Sequence, residues 1–453
     1  MDSTRKGPSG MPAFTTVWVG QLISLIGSGM TWFALTIWAW EITGQATTLA
    51  LVGFFAFGPT VLLSPVAGAL VDRWNRKLVM MLSDLAAGLS TVVVLILFAT
   101  GHLKIWHLYV TGAFAGAFQA FQFPAYSAAV TMMLPKEQYT RASGMLSLAG
   151  SASGVLAPIM AGVLLGQIGV AGIMIIDIFT FVVAIAALLV VYIPQPAVTE
   201  AGREGRGSLW KESGYGFRYI FKRPSLLGLQ LVFFGINLIA SFSFTVLSPM
   251  ILARTGNDEI VLGTVRSAMG LGGVVGGLLL STWGGPKRRV HGVLLGMALS
   301  SLLGTLVLGM GDRVLIWATG AFFAFFFIPF INGSNQAIWQ AKVAPDVQGR
   351  VFAVRRLIAQ ITAPLGMLLA GPLADHVFEP AMKQGGSLAS SFRGLVGTGP
   401  GAGLALMFII TGFLGVMVGL GGYLFPAVRD VEEILPDHQE VPVGLEFEPV
   451  GGN

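Results

Sequence analysis

The feature that most restricts this chain is the recurrence of uninterrupted apolar stretches, roughly twenty residues or longer, from Phe14–Trp40 almost to the C-terminus. A helix of that length crosses the roughly 30 Å hydrocarbon layer of a bilayer, and it satisfies its own backbone N–H and C=O groups where lipid offers them nothing. The residue balance agrees, with 54% hydrophobic and 11% charged residues where a soluble domain is nearer a quarter charged. The chain therefore reads as a polytopic membrane protein, and a soluble core is excluded. A net charge of +5 would point toward nucleic acid in a soluble protein; here membrane orientation accounts for the basic residues, and no nucleic-acid partner is expected. The absence of cysteine removes disulfides, thiolate metal sites and a cysteine nucleophile. No cleavable signal peptide is expected, because the first apolar segment is too long for one and many more follow.

Cutting the sequence at Gly, Pro and charge predicts twelve spans, near 15–40, 47–71, 78–100, 106–131, 142–167, 170–193, 226–252, 260–283, 290–311, 314–339, 352–375 and 403–426. An even number puts both termini on one side. If that side is cytoplasmic, twenty-one of the 27 Lys and Arg residues fall on it and six on the other, as the positive-inside rule requires. The expected organisation is a cytoplasmic N-terminus (1–14), a six-helix bundle (15–193), a cytoplasmic central loop (194–225), a second six-helix bundle (226–427) and an acidic cytoplasmic tail (428–453). Within the loop, SLWKESGYGFRYIFKRP mixes apolar and basic residues at helical spacing and predicts an interfacial helix on a lipid bilayer with an anionic inner leaflet. The halves read as repeats. A Gly-rich span end followed by a basic loop occurs at Gly68 and again at Gly277, and Arg141 and Arg350, each preceding a span, stand at the same offset. Parallel repeats of this kind place a site between them near mid-membrane.

In GALVDRWNRKLVM, Gly68, Asp72, Arg73, Arg76 and Lys77 resemble the G-x-x-x-D-R-x-G-R-K signature between helices two and three of the major facilitator superfamily. Asn75 replaces its second Gly, a substitution read as tolerated in a turn because Asn reaches left-handed backbone angles. WVGQLISLIGSGM, FQFPAYSAAVTMMLP and VAPDVQGRVFAVRR are similar to the macrolide-efflux and enterobactin-exporter branch, within the drug:proton antiporters. The resemblance implies an all-α membrane protein with twelve transmembrane helices in two pseudo-symmetric six-helix bundles, a monomer in the cytoplasmic (inner) membrane. It also implies a gating latch. Asp72 would face the N-terminus of span eleven, placed near Arg355, and Arg73, Arg76, Lys77 and Arg350 would supply donors. Ser281 takes the place of Asp72 in the second half, so the latch is asymmetric. The plainer reading, that these bases only set orientation, leaves Asp72 unexplained.

Helix five carries Gly150, Gly154, Pro158 and Gly162 at four-residue spacing and resembles the family's antiporter motif, with Ala157 where a Gly is usual. With Pro364 of span eleven, these residues are the expected hinge and packing surface, against the plainer alternative of ordinary helix packing. Helix four lacks the Arg found there in many drug/proton antiporters. The candidate coupling groups are instead Glu41, Asp84, Asp177 and Arg266, since ionisable groups are costly inside a bilayer; Asp84 could equally be a fixed partner of Arg355 or Arg356. By resemblance, spans one, four, seven and ten line the substrate cavity. They bring Gln21 and Trp32, then Gln119, Gln122 and Tyr126, then Phe233, Asn237 and Phe242, then Phe322, Phe326, Asn332, Asn335 and Gln336. Rings with amides and almost no charge suit a bulky amphipathic or weakly cationic ligand.

GTGPGAG has no following Lys-Ser/Thr and is no phosphate loop, and the five histidines are scattered; no metal, cofactor or catalytic constellation is expected, so the chain is not an enzyme. The expected function is secondary active export of amphipathic small molecules, drug- or macrolide-like, by alternating access, with a proton or another cation as coupling ion. The alternatives are a dedicated exporter of one secreted metabolite, such as a siderophore or nonribosomal peptide, and a non-transporting membrane receptor or scaffold.

Overall fold

A computed structural model describes residues 10–71, 74–135, 138–193, 216–343 and 345–435. Ten helices among them are long and apolar enough to cross a membrane. The first four helices are α1 (Gly10–Thr43), α2 (Ala46–Val71), α3 (Arg76–Ala99) and α4 (Ile105–Met133). α4 falls outside the ten because Gln119 and Gln122 dilute its middle. The continuous run Tyr139–Val190 is two helices, α5 and α6, on either side of Gly169, whose φ of 66° and ψ of −178° break the helix. Only a residue without Cβ takes this conformation cheaply. The chain reverses there: α5 runs alongside α1 in the same direction, with Trp18 at Met145 and Leu25 at Ser153, while α6 runs against it, with Gly20 at Ala187 and Gly27 at Asp177. These six spans form the first bundle.

The second bundle begins with α7 (Pro224–Thr255) and α8 (Glu259–Trp283). α9 runs from Arg289–Leu299 through a π turn at Ser300–Thr305 into Leu306–Met310. α10 comprises Val314–Phe326 and Ile328–Lys342, α11 comprises Pro345–Gln360 and Thr362–Leu373 and continues through further short turns to Met382, and α12 is Ala402–Gly421. Breaks at Phe327 and Ile361 follow from Pro329 and Pro364, which lack the N–H that would bond the carbonyl four residues back. Twelve helices in two bundles is the architecture anticipated from hydropathy. The halves meet where α2 lies on α11 and α5 on α8.

Two expectations need correction. Span eleven starts at Pro345 rather than near 352, because the polar segment PDVQGRV is helical without being apolar and hydropathy does not detect it. Asn75 is not left-handed; its φ of −66° and ψ of 111° are extended, and its side chain accepts the Leu78 N–H at 3.2 Å. It is the N-cap of α3, a role for which Asn is among the preferred residues. A helical turn over 216–221 precedes α7. Most of the expected interfacial helix lies outside the described residues, as do the first nine residues and the acidic tail beyond Leu435.

The buried apolar side chains show how the halves are joined. At the end away from Gly10, one cluster draws on both bundles, including Met30, Phe33 and Trp40 of α1 with Val246, Leu262 and Ala370 of the other half. At the terminus-bearing end each half keeps its own cluster: Phe14, Met80 and Leu188 in one, Leu226, Trp339 and Val351 in the other. The bundles are fused at one end and have separate cores at the other.

Candidate functional site

The fused end is held by polar bonds between halves. Asp375, on the last turns of α11, accepts the Ala46 N–H at 3.0 Å through Oδ1 and the Thr47 N–H at 2.7 Å through Oδ2. These N–H groups open α2, where a helix has no internal acceptor for them and carries partial positive charge. The backbones approach closely because residue 371 is Gly; a Cβ there would stand 2.6 Å from Thr47 Cα. Trp40 Nε1 donates to Asn257 Oδ1 at 2.9 Å, a second tie between halves. On the α5–α8 side, Ser267 Oγ donates to the Val155 carbonyl at 3.1 Å, and Gly263 lies against the Pro158 carbonyl. Of the small-residue set singled out in helix five, Pro158 and Gly162 belong to this contact, while a Cβ at Gly150 or Gly154 would meet nothing within 4 Å. On this contact the tighter glycines are Gly263 and Gly270 of α8, and Pro364 sits just beyond the α11 break at Ile361.

At the opposite end, Asp72 and Arg73 lie outside the described residues, Gly68 lies in α2, and Arg350 lies in the first turns of α11. Arg76 Nη1 donates to the Ala128 carbonyl at 3.1 Å, and Lys77 Nζ donates to the carbonyls of Leu189 at 3.1 Å and Val191 at 2.8 Å. Those carbonyls stand at the ends of α4 and α6, where a helix favours cations, and these bonds stay inside the first bundle. Arg355 is not at a helix start. It lies ten residues into α11 and lines a cavity.

Inside the first bundle, Asp84 is buried at 8% relative exposure. Its Oδ2 accepts Gln21 Nε2 at 2.7 Å and its Oδ1 accepts Gln122 Nε2 at 2.9 Å, tying α3 to α1 and α4. The Gln122 amide also reaches Gln21 Oε1 at 3.1 Å, and the buried Tyr126 hydroxyl, one turn further along α4, has no partner among the described residues. Neither Arg355 nor Arg356 pairs with Asp84, so the structural alternative for this residue is an amide cluster rather than an ion pair. Asp177 on α6 accepts Ser28 Oγ of α1 and Thr91 Oγ1 of α3, each at 3.0 Å. Both carboxylates thus rest on neutral donors among the described residues.

The second bundle holds the space. A cavity of about 420 Å³ is lined by Phe233, Asn237, Phe244, Phe325 and Asn332, with Phe57 reaching in from α2. Adjoining it, a second cavity of about 300 Å³ takes Asn335, Gln336, Gln230, Arg355 and Arg356. Five of the expected cavity residues, Phe233, Asn237, Asn332, Asn335 and Gln336, converge here. The others do not. Phe242 packs on the shared core, Trp32 and Gln119 are exposed, and Gln21, Gln122 and Tyr126 belong to the Asp84 cluster. Phe322 and Phe326 present their carbonyls to α8 at Gly272 and Gly276, where a Cβ would overlap them, and Phe325 lines the cavity in their place. Arg266 donates from Nη2 to Ser248 Oγ at 2.7 Å with its guanidinium 5.0 Å from the Phe244 ring centre, and its enclosed Nε has no partner among the described residues. Glu41 is exposed at the fused end. Asp375, Phe244 and Phe325 are the features that residue types and spacing did not single out as a site, and Arg355 and Arg356, expected at a latch or as ion-pair partners of Asp84, line the cavity instead.

Beyond the spans, Arg288 bridges Glu433 at 2.8 Å and Asp430 at 3.5 Å. Hydrogen bonds from Arg429 hold the Asp430 carboxyl below its ordinary range.

A family model described as Major Facilitator Superfamily matches residues 17–367. The chain is similar to Macrolide efflux protein A of Streptococcus pyogenes, 26% identical over 373 residues, which is 80% of this chain and 90% of that protein. It is 26% identical over 389 residues to Multidrug efflux pump Tap of Mycolicibacterium fortuitum, covering 83% and 91%. To Enterobactin exporter EntS of Escherichia coli it is 24% identical over 312 residues, covering 68% and 72%. Its fold is similar to the solved structure of a bacterial homologue of the human lysosomal transporter Spinster, with a TM-score of 0.67, 16% identity, and 93% and 98% of the two chains covered.

Proposed function

The chain belongs to the major facilitator superfamily and is a membrane transporter, not an enzyme, and from that premise we propose that it exports amphipathic small molecules out of the cytoplasm by alternating access. The observation that carries this is the asymmetry of the joint: the halves share one apolar core at one end, keep separate cores at the other, and hold an aromatic, amide-lined cavity at their seam. Relatives named as efflux pumps and an exporter support the direction. In this reading the terminus-bearing end faces the cytoplasm, as the distribution of Lys and Arg requires, and the membrane is the cytoplasmic one. The Asp375 contact then closes the outer side while the cavity is loaded from within. Asp72 would close the inner side in the alternate state.

Asp84 carries the coupled proton in this scheme. Its two donors are amide NH₂ groups, which cannot become acceptors without turning over. Protonating Asp84 removes its charge and converts one acceptor oxygen into a donor, which weakens the bonds to Gln21 and Gln122 and favours turning of one amide, and with it a change in the packing of α1 against α4. Asp177 differs, because a hydroxyl rotor switches between donor and acceptor in place, and a proton there moves nothing.

The test is reconstitution into proteoliposomes with an imposed pH gradient, following an amphipathic carboxylate alongside ethidium and a neutral macrolide. Gradient-dependent movement of at least one of them is the expected result. Movement of none, by protein shown to be folded, overturns export of amphipathic molecules.

A further inference from the structure

We infer that the smaller cavity of the second bundle is an oxyanion subsite, so that the molecule this protein takes up is an amphipathic acid, with a carboxylate or similar group held by Arg355. The Arg355 guanidinium lies 5.4 Å from the Trp339 ring centre and 5.5 Å from that of Phe352, so ring faces take up its charge from the sides. Its Nη1 is enclosed and has no hydrogen-bond partner among the described residues. The cavity wall is completed by Gln230, Asn335, Gln336 and Arg356, and none of the lining residues is acidic.

A guanidinium offers a planar fork of N–H groups that matches two oxygens of a carboxylate or phosphate. Left without an acceptor in an enclosed site, such a donor is unfavourable, and among the described residues no carboxylate pairs with it: Asp84 and Asp177 are engaged by amides and hydroxyls in the other bundle. Arg356 adds a second cation at the seam, 5.5 Å from the ring centre of Phe123 on α4. The adjoining 420 Å³ cavity shares Phe233, Asn237, Asn332 and Ala359 with this one. An acid head at Arg355 therefore leaves room for an apolar body beside it, and both parts of the molecule find a matching wall. The assignment rests on the export reading only for the direction of movement.

Binding separates the two claims. Full-length protein in nanodiscs is titrated with three probes of equal shape, 2-naphthoate, 2-naphthamide and 2-naphthylmethylammonium, by naphthalene fluorescence. The carboxylate should bind roughly tenfold or more tightly than either analogue, the size of a hydrogen bond to a charged group. Arg355→Gln should erase that preference. Because this variant can fail to fold, Gln336→Glu provides an independent check. It keeps the arginine and places an acid in the same cavity, and should abolish carboxylate binding while the thermal transition stays or rises. Equal binding of the three probes, a preference that survives either substitution, or saturable binding of inorganic phosphate in place of naphthoate would each overturn the subsite as the anchor of an amphipathic acid. Failure of gradient-driven export with the preference intact would sink the export reading and leave the subsite standing.

Discussion

The two bundles treat buried charge in opposite ways. The first buries acids: Asp84 rests on two amides and Asp177 on two hydroxyls. The second buries bases: Arg266 rests on a hydroxyl and a ring face, and Arg355 on two ring faces. Opposite charges inside a membrane protein usually find each other, yet here no ion pair between described residues lies within the spans. The lesson is one of availability. A neutral donor stabilises a carboxylate without cancelling its charge, so a proton still has a reason to arrive. A ring face does the same for a guanidinium, so an external anion retains its value.

The exception that spans the halves is Asp375, bound to the start of α2. Asp375→Ala removes two charge-assisted bonds, about 2–3 kcal/mol, and should open the fused end. Spin labels on Gln45→Cys and Ile260→Cys, unambiguous in a chain without cysteine, should then report a longer and broader distance; an unchanged distribution would remove the contact from the gate. Asp84→Asn comes next. With one pH unit imposed, a single coupled proton supports roughly tenfold accumulation, which this variant should lose while counterflow exchange persists. Asp177→Asn should retain gradient-driven accumulation, and if it fails as Asp84→Asn does, the distinction between amide and hydroxyl partners is wrong.

Packing gives a smaller contrast. A Cβ at Gly270 would stand 2.5 Å from the Val155 side chain, whereas one at Gly154 meets nothing within 4 Å. Gly270→Ala should lower the thermal transition by an amount corresponding to about 1–3 kcal/mol, and Gly154→Ala should stay within about 0.5 kcal/mol of the parent. The reverse order would return the hinge surface to helix five. Smallest of all is Glu433→Gln, which breaks an exposed pair with Arg288 and should leave transport and melting unchanged within error at physiological salt.

The fold was legible because bilayer thickness is written directly into run length, and the twelve predicted spans became twelve helices. The site was less so, for reasons visible at particular residues. Apolar helices that face protein on one side and lipid on the other carry little polar contrast to fix their rotation; Phe322 and Phe326 were assigned to the cavity where Phe325, between them, is the residue that lines it. Asp375 was not legible as a site, because its partners are two backbone N–H groups more than three hundred residues earlier, and no side-chain pattern marks a backbone donor. Arg355 was placed at a helix start because the polar turns before it do not look like part of a span. Asp84, Gln21 and Gln122 were each legible as intramembrane polar residues, and what remained hidden was that they meet.

The reversal at Gly169 has a mechanical side. One residue joins α5, which bears on the opposite bundle, to α6, which is pinned to α1 and α3 through Asp177. The corresponding joint between α11 and α12 is a long excursion, from Lys383 to Gly401, with a short helix of its own at Ala389–Val396. A linkage without slack transmits tilt, and a slack one absorbs it. The first bundle is therefore built as a stiff lever and the second as its compliant counterpart.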